Sequence, residues 1–445
     1  MPEAVPKQFI GFWMAVALVM GNMIGSGVFL LPASLAPFGG LGLIGWLFSA
    51  GGAVLLALVF ARLSRQNPAA GGPYAYTRQA FGDLAGFLVA WGYWISSWST
   101  NAALSVAGVG YLDPFIPGIV RHPPSAAALA IGMVWLLTAV NAWGVRSAGR
   151  VQLATTVLKI LPLALVGIGG LFFIDPSHFA IAQTDARSIA SGVTATATLT
   201  LWAFLGLECA TIPAGTITDP ARTIPRATIT GTLLAAVLYV VCTVGVIGLI
   251  DPAVLGRTSA PFAEAARALA GDRAALVVAL GAAISCFGAL NGWILIVGQL
   301  PLAVAQDGLF PRAFGRLSSR GTPVFGMILS GLLTTALIAM NYSRDLVDLF
   351  TFIILLATLS TLVPYAFCSL ASFLVTAGTG AARQGAAAST DGPGRERLTT
   401  GAAAVSALAF TYALWAIGGA GAEVVYWGFL LLMAGLPVYV WVVRS

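Results

Sequence analysis

Long apolar segments separated by short polar connections follow one another along the whole 445-residue chain. Hydrophobic residues make up 58% of the sequence and charged residues only 9%, whereas a soluble domain is about 25% charged. None of the polar connections is long enough to form a soluble domain of its own. The sequence therefore predicts an all-α integral membrane protein.

A helix needs about 20 mostly apolar residues to cross the hydrocarbon core of a bilayer. By that criterion the sequence predicts about twelve transmembrane helices, at approximately 9–35, 41–62, 84–112, 126–145, 151–173, 190–211, 228–250, 275–304, 323–341, 347–376, 400–419 and 424–443. The longest polar insertion, about 378–399, is rich in Gly, Ala and Arg and is expected to be a flexible loop. We expect a single polytopic domain over 1–445.

The distribution of Lys and Arg predicts the orientation, because cytoplasmic loops carry an excess of these residues. With the N-terminus inside, 15 of them fall on the inner side and 6 on the outer side, while Lys159 lies within a helix. Both termini are therefore expected in the cytoplasm, with the chain in the cell (inner) membrane. The net charge is +6, but the sequence contains no long run of basic residues. No nucleic-acid partner is therefore expected.

The residues that usually carry metal or enzyme chemistry are sparse. The two His lie in Pro-containing loops, and the four Cys lie in apolar stretches without CxxC spacing. No P-loop, HExxH or GxSxG motif occurs in the sequence. We expect no enzyme activity, no metal and no cofactor.

The first and sixth predicted spans are interrupted in a way that the others are not. The segment GNMIGSG at 21–27 places three glycines and a serine inside an apolar run, and LWAFLGLE at 201–208 carries Gly206 and an acid. Paired interruptions at corresponding positions of two halves are typical of inverted-repeat transporters, whose substrate lies between unwound helices. The two halves would be about 9–173 and 190–376, with two extra helices at about 400–443.

These breaks, together with GGPYAYTRQAFG (71–82), ITDPARTIPRAT (217–228) and QDGLFP (306–311), resemble the amino acid–polyamine–organocation (APC) superfamily. Within it, the chain is most similar to the basic amino acid/polyamine antiporters of the arginine/agmatine type. The resemblance covers nearly the whole chain and implies a LeuT-type 5+5 inverted repeat with broken helices 1 and 6. It implies exchange of a cationic amino acid for its amine, and members are often homodimers. The expected partners are amino acids, amines and membrane lipids.

The chemistry of an amino acid suggests where it would bind. A carboxylate binds backbone N–H groups at a helix break, here Asn22, Ser26 and Gly27, and an α-ammonium binds carbonyl groups such as those near Trp202. A cationic tail can be bound by aromatic faces, because a buried counter-ion is costly. The resemblance assigns stacking on that tail to Trp293 and the gate above it to Trp202. It adds as further substrate-site positions Tyr93, Ser97, Asn101, Ala203, Leu205 and Ala357.

The chain departs from the arginine/agmatine type at four of these or neighbouring positions. Where that type has Ser, Met, Ser and Ser, this sequence has Ala203, Leu104, Ala289 and Ala357. Fewer hydroxyl groups near the tail leave an amine or a neutral side chain open as the substrate. Proton-coupled, sodium-independent uptake of neutral amino acids is therefore the first alternative. A channel or a transport-inactive scaffold is a second one, although few charges lie deep in the spans.

Three titratable residues are candidates for gating or proton coupling. Glu208 is an acid at membrane depth, and such residues are functional candidates because burying an ionised group is expensive. Lys159, in the fifth span, resembles a lysine that takes the place of a sodium ion in some superfamily members. A Lys at the bilayer centre costs about 2.5–3.5 kcal/mol on insertion scales, so it should have a partner or a function. The resemblance adds Tyr74 as a pH-sensitive position.

Overall fold

The chain is described from a computed structural model that covers residues 10–181, 185–258, 260–341, 346–374 and 399–444. Most of the predicted loop at 378–399 lies outside these residues. Five of the Lys and Arg residues used to predict the orientation also lie outside them: Lys7, Arg344, Arg383, Arg395 and Arg397. The α-helices are α1 (Phe12–Met23), α2 (Ser26–Leu35), α3 (Leu41–Gln66), α4 (Pro73–Phe81), α5 (Asp83–Gly110), α6 (Pro123–Trp143), α7 (Val145–Gly170), α8 (Ala186–Leu201), α9 (Pro220–Leu249), α10 (Pro252–Leu255), α11 (Pro261–Gln306), α12 (Val324–Asn341), α13 (Leu346–Leu374), α14 (Thr400–Gly419), α15 (Ala422–Met433) and α16 (Gly435–Arg444). The described residues form an all-helical bundle.

Most of the predicted spans correspond to helices that can cross a membrane. In the described parts of the chain, ten helical segments are long and apolar enough, and Val324–Met340 is apolar but shorter. The remaining predicted span, 84–112, corresponds to α5, a helix of 28 residues that is not among the ten. Its middle carries buried polar residues such as Ser97 and Asn101. Because α5 packs against α11 and α13 in the centre of the bundle, these side chains face protein rather than lipid.

The first predicted span is divided into two helices. Helix α1 ends at Met23 and α2 begins at Ser26, with Ile24 and Gly25 outside helical geometry between them. Gly25 has φ −120° and ψ −133°. A side chain at this residue would be crowded, because a Cβ atom built on it would lie 2.7 Å from the Leu104 side chain of α5. The break therefore depends on a glycine pressed against the central helix.

The sixth predicted span loses its α-helical form halfway. Helix α8 ends at Leu201 and is followed by short 3₁₀ turns at Trp202–Phe204 and Cys209–Thr211. Gly206, between the two turns, has φ +105°, a conformation that residues with a side chain rarely adopt. The segment then meets the beginning of the first span, where the Ile10 N–H donates to the Thr216 carbonyl at 3.1 Å. The two interrupted segments therefore lie side by side.

Helices α7 and α9 approach each other closely through three glycines. A Cβ atom built on Gly245 of α9 would lie 2.2 Å from the Gly167 carbonyl oxygen, and one built on Gly170 would lie 2.3 Å from the Gly245 carbonyl oxygen. Small residues allow such backbone contact between membrane helices, where van der Waals packing is a main source of association. This contact holds α7, and with it Lys159, against the rest of the bundle.

Substitution of Gly245 by Val is expected to separate α7 from α9 and to destabilise the protein by about 1–3 kcal/mol, the usual range for an overfilled contact. The melting temperature of purified protein in detergent, followed by tryptophan fluorescence, measures this effect. Gly132→Val in α6 is the matched control, because no heavy atom lies within 4 Å of a Cβ atom built there. Equal melting temperatures for the two variants would contradict the proposed contact.

Candidate functional site

A small cavity lies where the two broken segments meet α5 and α11. Its open space holds about one water molecule, and the indole rings of Trp202 and Trp293 in its wall are 6% and 1% exposed. The lining residues are Asn22, Met23, Gly25, Ser26, Gly27, Thr100, Leu104, Trp202, Leu205 and Trp293. The structure thus describes a narrow site enclosed within the bundle.

The N-terminal end of α2 faces this cavity without a side-chain cap. Gly25 is the N-cap residue and offers no side chain to the first N–H groups of the helix. The buried Ser26 hydroxyl also lacks a hydrogen-bond partner among the described residues. A Cβ atom built on Gly27 would lie 3.0 Å from the Trp202 indole, so the glycine brings the backbone close to this ring. Free N–H groups at the positive end of a helix form a binding site for an anion.

The opposite end of the break, the C-terminus of α1, is bound by a buried cation. Lys159 of α7 is fully buried, and its Nζ donates hydrogen bonds to the Gly21 carbonyl oxygen at 2.6 Å and to the Ile24 carbonyl oxygen. The Ser285 hydroxyl donates to the same Ile24 oxygen at 3.1 Å. A cation is favourable here because the carbonyl end of a helix is its negative end. Lys159 therefore satisfies the carbonyl groups that the interruption leaves unpaired.

A buried carboxylate lies in the sixth segment, two residues after Gly206. Glu208 is fully buried; the Tyr93 hydroxyl donates to its Oε1, and the Tyr365 hydroxyl donates to its Oε2. The Tyr93 ring lies 6.3 Å from the Trp293 ring, centroid to centroid. Since Tyr93 belongs to α5 and Tyr365 to α13, the carboxylate joins the sixth segment to two helices and, through Tyr93, to the aromatic wall of the cavity.

A separate polar cluster joins α4 to the end of α11. The Tyr74 hydroxyl donates to Oδ2 of Asp307 at 2.7 Å, and Arg78 forms ion pairs with both Asp307 and Asp83, at 2.6 and 2.7 Å. Burial and the hydrogen bond to Asp307 raise the pKa of the Tyr74 phenol above its ordinary value. Tyr74 therefore stays protonated at neutral pH, and any effect of pH at this position would act through its charged partners.

The structure brings together only part of the predicted substrate site. Asn22, Ser26, Gly27, Trp202, Leu205 and Trp293 line the cavity. The other predicted residues are buried nearby but are not in its lining. Tyr93 binds Glu208, while the Ser97 hydroxyl donates to the Tyr93 carbonyl at 2.7 Å within its own helix. The Ala203 and Ala357 carbonyls accept from the Tyr239 and Ser96 hydroxyls, and Asn101 Oδ1 has no hydrogen-bond partner among the described residues.

Several residues at the site are not among the sequence predictions. Thr100, Met23 and Gly25 line the cavity, and their positions next to Asn101 and within GNMIGSG could have suggested them. Gln152 donates through Nε2 to Asn22 Oδ1 at 3.2 Å. Gln152 and Tyr365 carry no comparable signal, because each comes from a helix distant in sequence from the residue that it binds. Their roles depend on helix packing, which a single sequence does not specify.

Comparison with known proteins agrees with this architecture. The family model described as amino acid permease matches residues 10–443. The cadaverine/lysine antiporter of Escherichia coli is 35% identical over 369 residues, 80% of this chain and 81% of that protein. The putative arginine/ornithine antiporter of Bacillus subtilis is 34% identical over 396 residues, 82% and 84% of the two chains. The putrescine transporter PotE of Haemophilus influenzae is 30% identical over 432 residues, 97% and 96% of the two chains.

The family model covers both interrupted segments, α5, α11 and almost all of the helices outside them. The relatives are transporters and not enzymes. The superfamily predicted from the sequence is therefore confirmed. The chain belongs to the amino acid permease family of the APC superfamily and is a multi-pass membrane transport protein.

Proposed function

We propose that the chain is a secondary antiporter that exchanges a cationic amino acid for its amine or polyamine product, as an arginine/agmatine-like system does. The observation that carries this proposal is the uncapped N-terminus of α2, which faces a buried cavity walled by two tryptophans. The uncapped helix end suits a carboxylate, and the tryptophan rings suit an organic cation. Such a pair of subsites matches an amino acid and leaves its decarboxylated amine a weaker ligand of the same site.

The carboxylate subsite is built from backbone groups and one hydroxyl. The free N–H groups near Ser26 and Gly27, together with the unpartnered Ser26 hydroxyl, can donate hydrogen bonds to both oxygens of a carboxylate. Hydrogen bonds to a charged group contribute about 1.5–3 kcal/mol each. These donors would accept any α-amino acid, so they set the substrate class and not the side chain.

The tail subsite is aromatic and apolar. Trp293, Trp202, Leu104 and Leu205 are among its lining residues. An organic cation is attracted to an indole face by about 0.5–2 kcal/mol, depending on how far it is desolvated. No acidic side chain is among the described lining residues, which fits a site that must also release its cation.

The relatives support exchange of basic amino acids and polyamines. Their names include a cadaverine/lysine antiporter, a putative arginine/ornithine antiporter and a putrescine transporter. Each of these compounds carries at least one ammonium or guanidinium group on an alkyl chain, which matches an aromatic cavity. The alternative is proton-coupled, sodium-independent transport of a neutral amino acid, which the apolar side chains of Leu104 and Leu205 favour.

The architecture and setting complete the proposal. We infer two inverted five-helix repeats at about 9–173 and 190–376, with the helices at about 400–443 added, in a bacterial inner membrane with both termini cytoplasmic. Exposed aromatic residues on α15 and α16, such as Trp427 and Trp441, leave an apolar face that a homodimer could cover. Glu208, Lys159 and Tyr74 are proposed to act in gating or proton coupling, with Lys159 in the place of a coupling ion.

Counterflow into proteoliposomes identifies the substrate. Vesicles loaded with one unlabelled compound are supplied with radiolabelled arginine, agmatine, lysine, cadaverine, ornithine, putrescine or alanine, at pH 5 to 8. Trans-stimulated uptake of at least one basic amino acid and its amine is the expected result. Uptake of alanine alone, driven by a proton gradient, would favour the alternative function.

Removal of the Trp293 ring is expected to weaken binding of a cationic substrate. Trp293→Leu should cost about 1–2 kcal/mol because the cation–π contact is lost, and Trp293→Phe should retain part of it. Dissociation constants of the exchanged amino acid measured by calorimetry on purified protein give the values. Trp441→Leu, which removes an indole that is 61% exposed, is the control. Equal affinity for wild type and Trp293→Leu would remove Trp293 from the substrate site.

Replacement of Lys159 by Ala is expected to slow transport sharply and to change its pH dependence, because the carbonyl groups of Gly21 and Ile24 lose their donor. Wild-type transport should not require sodium. Initial exchange rates in proteoliposomes from pH 5 to 8, with sodium or choline outside, measure both effects. Leu158→Ala is the matched control, since Leu158 is the neighbouring residue and is 54% exposed. A sodium requirement in the wild type, or a wild-type rate and pH profile in Lys159→Ala, would refute the role.

A further inference from the structure

Four buried amide side chains form a continuous hydrogen-bonded chain that ends at the candidate site. Asn141 of α6 donates through Nδ2 to Asn291 Oδ1 at 3.0 Å, and Asn291 of α11 donates through Nδ2 to Gln152 Oε1 at 3.4 Å. Gln152 of α7 then donates through Nε2 to Asn22 Oδ1 at 3.2 Å. All four residues are at most 3% exposed. We refer to these residues as the amide chain.

Every bond in the amide chain runs in the same direction. From Asn141 to Asn22, each of the three bonds runs from an NH₂ group to the carbonyl oxygen of the next amide, so the polarity at one end fixes the polarity at the other. At the first end, Asn141 Oδ1 has no hydrogen-bond partner among the described residues. At the Asn22 end the carbonyl oxygen is occupied by Gln152, which leaves the NH₂ group free. That Nδ2 atom is buried and has no hydrogen-bond partner within the described residues.

The surrounding backbone is shaped to admit this contact. A Cβ atom built on Gly292 would lie 1.8 Å from Asn22 Oδ1, and one built on Gly21 would lie 2.0 Å from Gln152 Nε2. The backbone carbonyl oxygen of Asn22 accepts a hydrogen bond from the Trp293 indole N–H at 3.3 Å. Two glycines from different helices therefore leave room for the Asn22–Gln152 pair, and the amide cannot turn over without losing the bond to Gln152.

We propose that the amide chain holds Asn22 with its NH₂ group directed into the site, and that Gln152, Asn291 and Asn141 are thereby positioning residues for the substrate carboxylate. This inference rests on the proposed function and deepens it. An unpaired NH₂ group in a buried cavity attracts an anionic oxygen, because leaving a buried donor unpaired is costly. It offers nothing to an ammonium group, since both are donors.

The amide chain consequently favours the amino acid over its decarboxylated product. Asn22 lines the cavity together with Ser26 and Gly27, so its NH₂ group adds a third donor to the carboxylate subsite. Lysine carries the carboxylate and cadaverine lacks it, while the two share the same alkylammonium tail. A residue that acts only on folding would change the binding of both ligands by the same factor, whereas a positioning residue would change the binding of lysine alone.

The experiment measures the dissociation constants of lysine and of cadaverine by calorimetry on purified wild type and Gln152→Leu. Loss of the charge-assisted hydrogen bond is expected to raise the lysine constant about tenfold and to change the cadaverine constant by less than about twofold. Thr138→Val in α6 is the matched control. Its buried hydroxyl donates to the Val134 carbonyl of its own helix at 2.8 Å and is not part of the amide chain, so neither constant should change.

Gln152→Glu provides a second variant of the same shape, in case the leucine disturbs packing. An ionised carboxylate in place of the Gln152 amide still accepts from Asn291 but cannot donate to Asn22, so the ratio of the lysine constant to the cadaverine constant should rise. Equal factors for lysine and cadaverine in a folded Gln152 variant would overturn this inference and leave the proposed function intact. A wild-type protein that binds neither ligand would refute a lysine/cadaverine function, and with it this inference.

Discussion

The hydrogen bonds from Lys159 to the end of α1 are the interaction on which the rest of the site depends. A helix that is interrupted inside a membrane exposes carbonyl and N–H groups, and each unpaired group costs several kcal/mol in hydrocarbon. Lys159 and Ser285 satisfy the carbonyl side of the break. The N–H side, at the start of α2, has no side-chain cap. The break is therefore stable while one of its two ends stays available to a ligand.

Glu208, like Lys159, stabilises an interrupted segment and does not line the cavity. Its carboxylate accepts from Tyr93 and Tyr365, so it stabilises the irregular sixth segment from the side of α5 and α13. Because the Tyr93 ring lies close to that of Trp293, a change at Glu208 reaches the aromatic wall through one residue. The carboxylate and the ammonium of Lys159 each hold one interrupted segment, and neither lines the cavity itself.

Sequence reasoning located the interruptions and singled out Lys159 and Glu208, but it did not identify the residues on other helices that bind Glu208 and Asn22. Glycine-rich breaks in apolar runs are local signals, so GNMIGSG and the segment around Gly206 were recognisable without any knowledge of packing. The partners of these breaks, such as Tyr365 and Gln152, come from distant helices and follow only from the packing. The prediction of twelve apolar spans included 84–112, but α5 at this position carries buried polar residues in its middle and is not among the ten apolar helices of the described residues. Counting apolar residues alone does not show which helix lies in the centre of the bundle.

The contacts around the cavity differ in strength. The Trp202 indole lies beside Gly27, where a Cβ atom built on the glycine would be 3.0 Å from the ring, and van der Waals contacts contribute about 0.1–0.2 kcal/mol per atom pair. Lys159 and Gln152, both in α7, hold the first segment by buried hydrogen bonds, and breaking these would leave polar groups unpaired. Moving the Trp202 indole away from Gly27 would therefore cost less free energy than separating α1 from α7.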